Sequence, residues 1–192
     1  MNVQLRKIGP VIFVLLNISL LAASCSSEET SSAALDSSTT TEATGASSTS
    51  AVIFGPSAQT VSLEMPSVAK TLYKIGEDDS RTYGANQLVG SATVLGQPAT
   101  VEILGSIDYT NGSGPFTGFL TVTWADASSI AFSILGTATQ LADGSSTISS
   151  AMDYLGGSGT YVSSLVQGKF TASREAQVGA TIITELTLEV LS

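Results

Sequence analysis

From Pro98 to the C-terminus, apolar and polar residues alternate again and again with a period of two. In PATVEILGSIDY, Val101, Ile103, Ile107 and Tyr109 alternate with Glu102, Ser106 and Asp108. In FTGFLTVTW, Phe116, Leu120, Val122 and Trp124 alternate with Thr117, Thr121 and Thr123. SIAFSILGTATQ sets Ile130, Phe132 and Ile134 on one face, and ATIITELTLEVL sets Ile182, Leu186, Leu188 and Val190 against Thr181, Glu185, Thr187 and Glu189. Successive side chains of a strand point to opposite faces, so each stretch is predicted as a half-buried strand with one face toward a core. No long segment carries apolar residues at helical spacing.

Turn-forming residues separate these strands. NGSG at Asn111, ADAS at Ala125, ADGS at Ala142 and GGSG at Gly156 supply residues that tolerate positive φ or bond their own backbone. Strands joined by tight turns in sequence order describe an up-and-down antiparallel meander. Gly105, Gly118 and Gly136 fall inside strands and are predicted to mark bends where the sheet curls. Curling closes a meander most naturally into a barrel, which removes exposed edges; a two-sheet sandwich is the alternative. In MDYLGGSGTYVSSLVQGKF, Gly156 to Gly159 are expected to turn the chain at the barrel rim, with Tyr161 and Leu165 packing as a lid. The barrel domain is expected over 51–192, long enough to build a core without disulfides.

The first 24 residues read differently. Arg6 and Lys7 precede an apolar run from Ile8 to about Ala23, broken by Gly9, Pro10 and Asn17 and shorter than the ~20 residues that cross a bilayer. A basic region, a short apolar region and small residues form a secretory signal peptide over 1–24. Its end, LLAASC, resembles the lipobox of bacterial lipoproteins. That resemblance implies cleavage between Ser24 and Cys25 and lipidation of Cys25 by diacylglyceryl and palmitate chains, with the protein anchored to membrane lipid in the cell envelope, facing outward from the inner membrane. Ser26 after the cysteine is the residue expected for sorting to the outer membrane where the host has one. An ordinary signal that leaves a spare thiol, and an uncleaved anchor, are the alternatives. From Cys25 to Ser50 the chain is almost wholly Ser, Thr, Ala and acids, too polar to offset the entropy of ordering its backbone, and is expected to be a disordered linker.

Composition narrows the chemistry. The 192 residues contain no histidine and one cysteine, which removes Ser-His-Asp and Cys-His nucleophiles, histidine metal sites and any intramolecular disulfide. Sixteen acids against seven bases give a formal charge of −9, so the chain repels phosphate backbones and nucleic acid is not an expected partner. GEDDSR gathers Glu77, Asp78 and Asp79, but without the alternate spacing of a calcium loop it reads as a solvated hairpin tip, and no metal or cofactor is implied. Asp108 and Asn111 fall at a turn, where bonds to the backbone account for them. Glu102, Asp108, Tyr109, Tyr154 and Arg174 are the polar groups placed nearest an interior cavity, Tyr109 as a core tyrosine. No catalytic residue is assigned.

The segment from NGSG through VQGKF resembles the allene oxide cyclase and dirigent family of eight-stranded, calycin-like barrels. That family carries a Gly-Gly-Thr-Gly signature followed by a basic residue, an aromatic residue and, shortly after, another glycine. Gly156, Gly157, Ser158, Gly159, Thr160 and Tyr161 stand in those places, with Gly168 as the later glycine. Ser158 replaces the threonine, Thr160 replaces the basic residue, and the interval to Gly168 is about two residues longer. The resemblance covers roughly Asn86 to Val190 and implies an antiparallel up-and-down barrel that forms dimers or trimers. Three functions stay open: a barrel binding a small apolar ligand, a cyclase-like or dirigent-like enzyme that guides a reactive intermediate to one stereochemical product, and a structural or interaction protein of the cell envelope.

Overall fold

The computed structural model describes residues 52–175 and 177–191. The signal peptide, Ser24, Cys25 and the linker to Ser50 lie outside the described residues. Nine strands follow: β1 Gln59–Met65, β2 Ser67–Ile75, β3 Arg81–Val94, β4 Gln97–Thr110, β5 Gly114–Trp124, β6 Ser129–Gln140, β7 Ser146–Ser158, β8 Leu165–Arg174 and β9 Ile182–Leu191, with one 3-10 turn at Gly159–Tyr161. All pair antiparallel in the order β1-β9-β8-β7-β6-β5-β4-β3-β2. The fold is thus all-β and barrel-like, a meander from β2 to β9 with β1 added beside β9.

Nine strands stand where eight were expected, and Pro66 supplies the difference. It lacks an N–H to donate into a ladder, so it divides one long extended segment in two. The first half, β1, pairs with β9 at one end of the sheet; the second half, β2, pairs with β3 at the other. The sheet curls far enough that β1 also meets β3. The Val89 N–H donates to the Pro66 carbonyl at 3.1 Å, and the Leu95 N–H donates to the Gln59 side chain. Among the described residues, the buried core and the strand pairings fall within 59–191.

The alternating sets predicted to face inward do so. Leu120, Val122, Ile130, Phe132 and Leu186 are wholly buried, and Phe116 meets Phe170 edge-on with centroids 6.5 Å apart. The curl rests on inward-facing glycines. A Cβ at Gly118 would collide with the Leu104 carbonyl on β4, and one at Gly136 with the Ser149 carbonyl on β7. Both strands therefore approach a neighbour too closely for any side chain, as predicted for a bend.

The glycine-rich corner departs from expectation. Gly156, Gly157 and Ser158 do not turn the chain; they finish β7, paired with Ala131, Ile130 and Ser129 of β6. Leu155 is the extra residue of a bulge just before them, and Gly156 takes φ +143°. The turn begins one residue later, at Gly159 with φ +57°, packed against Ser128. Leu165 is no lid: it opens β8 with its side chain outward and 57% exposed. Tyr161 does cap its end of the interior, stacked on Trp124 with centroids 4.4 Å apart.

Candidate functional site

The two ends of the interior differ. At the Trp124 end, the indole Nε1 donates to the Val94 carbonyl at 3.1 Å, and Tyr161 covers the ring's other side. Asp126 fixes the neighbouring turn by accepting from the Ser128 N–H and hydroxyl, each at 2.9 Å, and the Ser128 hydroxyl accepts from the Thr160 N–H at 3.0 Å. Trp124 is buried there, 4% exposed, with Tyr161 packed on it.

The other end holds a cavity of about 60 Å³. Its wall is mainly apolar, from Leu88, Ile103, Ile107, Phe116, Ile134 and Phe170, with Asn86, Ser106, Tyr109 and Arg174 as its polar residues. The chain after β8 folds across it, with Val178, Gly179 and Ala180 as its roof. Lys70 of β2 latches that roof by donating from Nζ to the Gly179 carbonyl at 3.0 Å. Beside it lies a second, more polar pocket of about 390 Å³, lined by Lys74, Asp78, Asp79, Thr82, Gln140 and others. Arg174 and Val178 line both spaces and so form the wall between them.

Arg174 is the one described cation lining the interior cavity. It ends β8 on the inward face, 5% exposed, and its Nη2 donates to the Ser146 hydroxyl at 2.9 Å. Its Cζ lies 5.9 Å from the Tyr109 ring centroid. Burial pulls the guanidinium below its ordinary pKa, while Tyr109 pushes it back up. Burial pushes the Tyr109 phenol up, and the Arg174 charge opposes it. Both groups keep their usual forms near neutrality: a cation over a neutral phenol.

Compared with known proteins, the chain matches no family model and no curated sequence.

Tyr109 and Arg174 are brought together at the cavity, as the sequence suggested. Two other candidates are not. Glu102 lies on the outer face of β4 and accepts from the Gln87 side chain of β3. Asp108 also faces outward and takes two bonds from Arg81, from Nε at 2.7 Å and from Nη2 at 2.5 Å. Each occupies a strand position opposite in parity to Ile103 and Tyr109, which is why neither reaches the interior. Tyr154 does point inward, its ring 5.5 Å from Phe132, but it stands apart from the cavity wall. Its hydroxyl is buried and finds no partner among the described residues, as is true of the Ser150 and Thr184 hydroxyls. Gly168 lies inside beneath Met152, whose methyl carbon would be 2.9 Å from any added Cβ.

Glu77, Asp78 and Asp79 are exposed at the tip of the β2–β3 hairpin. Asp78 accepts from the Ser80 N–H at 3.1 Å in a side-chain-closed turn, and no group of three or more metal-ligating side chains occurs among the described residues. Asn86 and Ser146 were not singled out in the sequence. Strand parity was the available signal, since each lies two residues before an inward residue, Leu88 and Ile148. Glu189 was missed as well. It is 5% exposed and accepts from the Gly55 N–H at 2.8 Å, the Ser57 hydroxyl at 2.6 Å and Gln167 Nε2 at 2.6 Å. These bonds hold its carboxyl below the usual pKa and pin the N-terminal approach segment across β8 and β9.

Proposed function

We propose that this chain is an exported, lipid-anchored carrier whose barrel interior binds a small, largely apolar molecule. The observation that carries the reading is the shared wall at Arg174 and Val178, with a mainly apolar cavity on one side and a polar pocket on the other. Binding sites are typically concave and apolar with a few convergent polar groups. Cys25 supplies the anchor, since two or three acyl chains hold a protein firmly at ~0.8 kcal/mol per buried methylene. The Cys25→Ser chain is expected to keep its signal peptide and lose palmitate labelling; normal processing of that variant removes the anchor from the account.

The binding claim is tested by native mass spectrometry of the Val52–Ser192 fragment released under mild conditions. A bound increment lost on denaturation supports it. A second observation favours association between copies. The outer face of β2 to β6 exposes Tyr73 paired with Tyr83, Leu104 paired with Phe119, and Leu135 beyond them. Light scattering after chromatography should then report a dimer or trimer that Leu104→Glu together with Phe119→Glu dissociates. A monomer for the unsubstituted chain would retire this second reading. The cyclase-like reading calls for a carboxylate facing an arginine; the described cavity wall offers Arg174, Tyr109, Ser106 and Asn86, which suits holding a ligand better than moving its protons.

A further inference from the structure

We infer that β2 is the strand through which two copies of this chain pair, edge to edge and antiparallel, about a two-fold axis at Thr71. This rests on the reading that copies associate, and it names the strand and the register.

The first observation is an open edge. β1 and β2 are the terminal strands of the sheet. β1 is closed off by β3: the Val89 N–H donates to the Pro66 carbonyl, and a Cβ at Gly90 would strike the Glu64 carbonyl. β2 pairs with β3 on one side and, among the described residues, with no strand on the other. All but Ser67 and Leu72 of its nine residues are exposed. A Cβ at Gly84 would collide with the Thr71 carbonyl, so that carbonyl points toward β3. Bonding groups alternate in direction along a strand, so those of Lys70, Leu72 and Lys74 point to the free edge. Such a row is a template for another strand. Its guards are weak: the bulge at Val68 falls at the start of the strand, and Lys70 is drawn back to the Gly179 carbonyl at 3.0 Å.

The second is self-complementarity. A ladder centred on Lys70 sets that lysine against itself, and one centred on Leu72 sets Lys70 against the partner's Lys74. Centred on Thr71, the midpoint of Ser67–Ile75, the whole strand finds a partner and no lysine faces another. Lys70 then stands opposite the partner's Leu72. Like charges directly opposite are destabilising, so charge selects the register that also pairs the most backbone. Thr71 meets the partner's Thr71, and Tyr73 meets the partner's Ala69, a large ring beside a small residue. A two-fold contact of this kind closes at a dimer.

The outer face completes the contact. A groove of about 560 Å³ crosses β2 to β5, with Ala69 and Thr71 on its near side and Leu104 and Phe119 farther in. Tyr73 points outward, 59% exposed, and in this register its ring lies at the rim of the second copy's groove. Each copy covers apolar surface that the other leaves in water.

The test uses the full chain carrying Cys25→Ser, so that an introduced cysteine is the only thiol. Residues facing each other across the axis fall within disulfide reach, and residues offset along the strand do not. Under mild oxidation with copper phenanthroline, Thr71→Cys should give a linked dimer and Ala69→Cys should stay unlinked. Amide exchange without an introduced cysteine is the second readout. From dilute to concentrated protein, the Lys70 and Leu72 amides should slow by about tenfold or more, while the Thr71 amide, already facing β3, changes little. Linking at Ala69 as readily as at Thr71, or a dimer whose Lys70 and Leu72 amides exchange as fast as in dilute protein, overturns edge pairing and leaves association through the outer face. A monomer at every concentration overturns association itself, and this inference with it.

Discussion

At the scale of single residues, parity along a strand decides which chemistry is inside. Asp108 and Tyr109 are neighbours in sequence, yet one pairs with Arg81 in solvent and the other lies 3% exposed against Arg174. Burial alone fixes the worth of an inward residue such as Phe132. Phe132→Ala should cost about 3–5 kcal/mol, read by denaturant unfolding, because the surrounding strands cannot collapse into the space. Glu189 acts on a different part of the chain. Its three bonds tie Gly55 and Ser57 to the sheet, so Glu189→Gln should leave the barrel folded but speed proteolytic cutting near Gly55–Ala58 several-fold. Unchanged cutting would show that the segment is held by something else.

Elements were legible where alternation ran unbroken and turns were marked by glycine, asparagine or aspartate. The strands around Val101, Leu120, Phe132 and Leu186 follow directly, because a period of two has no other compact solution in a sheet. The division at Pro66 was not legible, since it depends on two halves of one segment finding different partners, β9 and β3. The GGSG corner misled for a physical reason. Its glycines serve close approach as well as turning: Gly157 gives way to the Tyr161 backbone, and Gly159 to Ser128. The corner exists to seat Tyr161 on Trp124, and the molecule's single tryptophan reports on it. Tyr161→Ala should shift the emission to longer wavelength and cost about 0.5–1.5 kcal/mol for the ring pair in addition to its buried area. An unshifted spectrum would mean the stack does not shield the indole. Gly118→Ala should cost about 1–3 kcal/mol by forcing β4 and β5 apart. Arg174 and Asn86 come to line one cavity only when distant strands curl together, so the sequence named the arginine without showing what stands around it.

For the molecule as a whole, charge and topology set the response to pH. Asp78, Asp108, Asp126, Asp143 and Glu189 all have folded pKa values below their ordinary ones, chiefly through hydrogen bonds to serines, backbone N–H groups and Arg81. A depressed carboxyl stabilises the fold above its unfolded pKa, and that contribution is lost as pH falls through the folded value. With no histidine in the chain, the melting temperature should stay flat from about pH 5 to 8 and fall below about pH 4. A step in stability near pH 6.5 would contradict that. The proposed binding role rests on an asymmetry of the fold, with Tyr161 stacked on Trp124 at one end and Arg174 lining a roofed cavity at the other. The most direct measurement is methyl nuclear magnetic resonance of the isoleucines during a titration with 1-hexanol, a small and largely apolar probe. Saturable shifts at Ile103, Ile107, Ile134 and Ile148, with the outward Ile75 and Ile183 unmoved, are the predicted result. Shifts spread over the outer residues, or none at all, would contradict it.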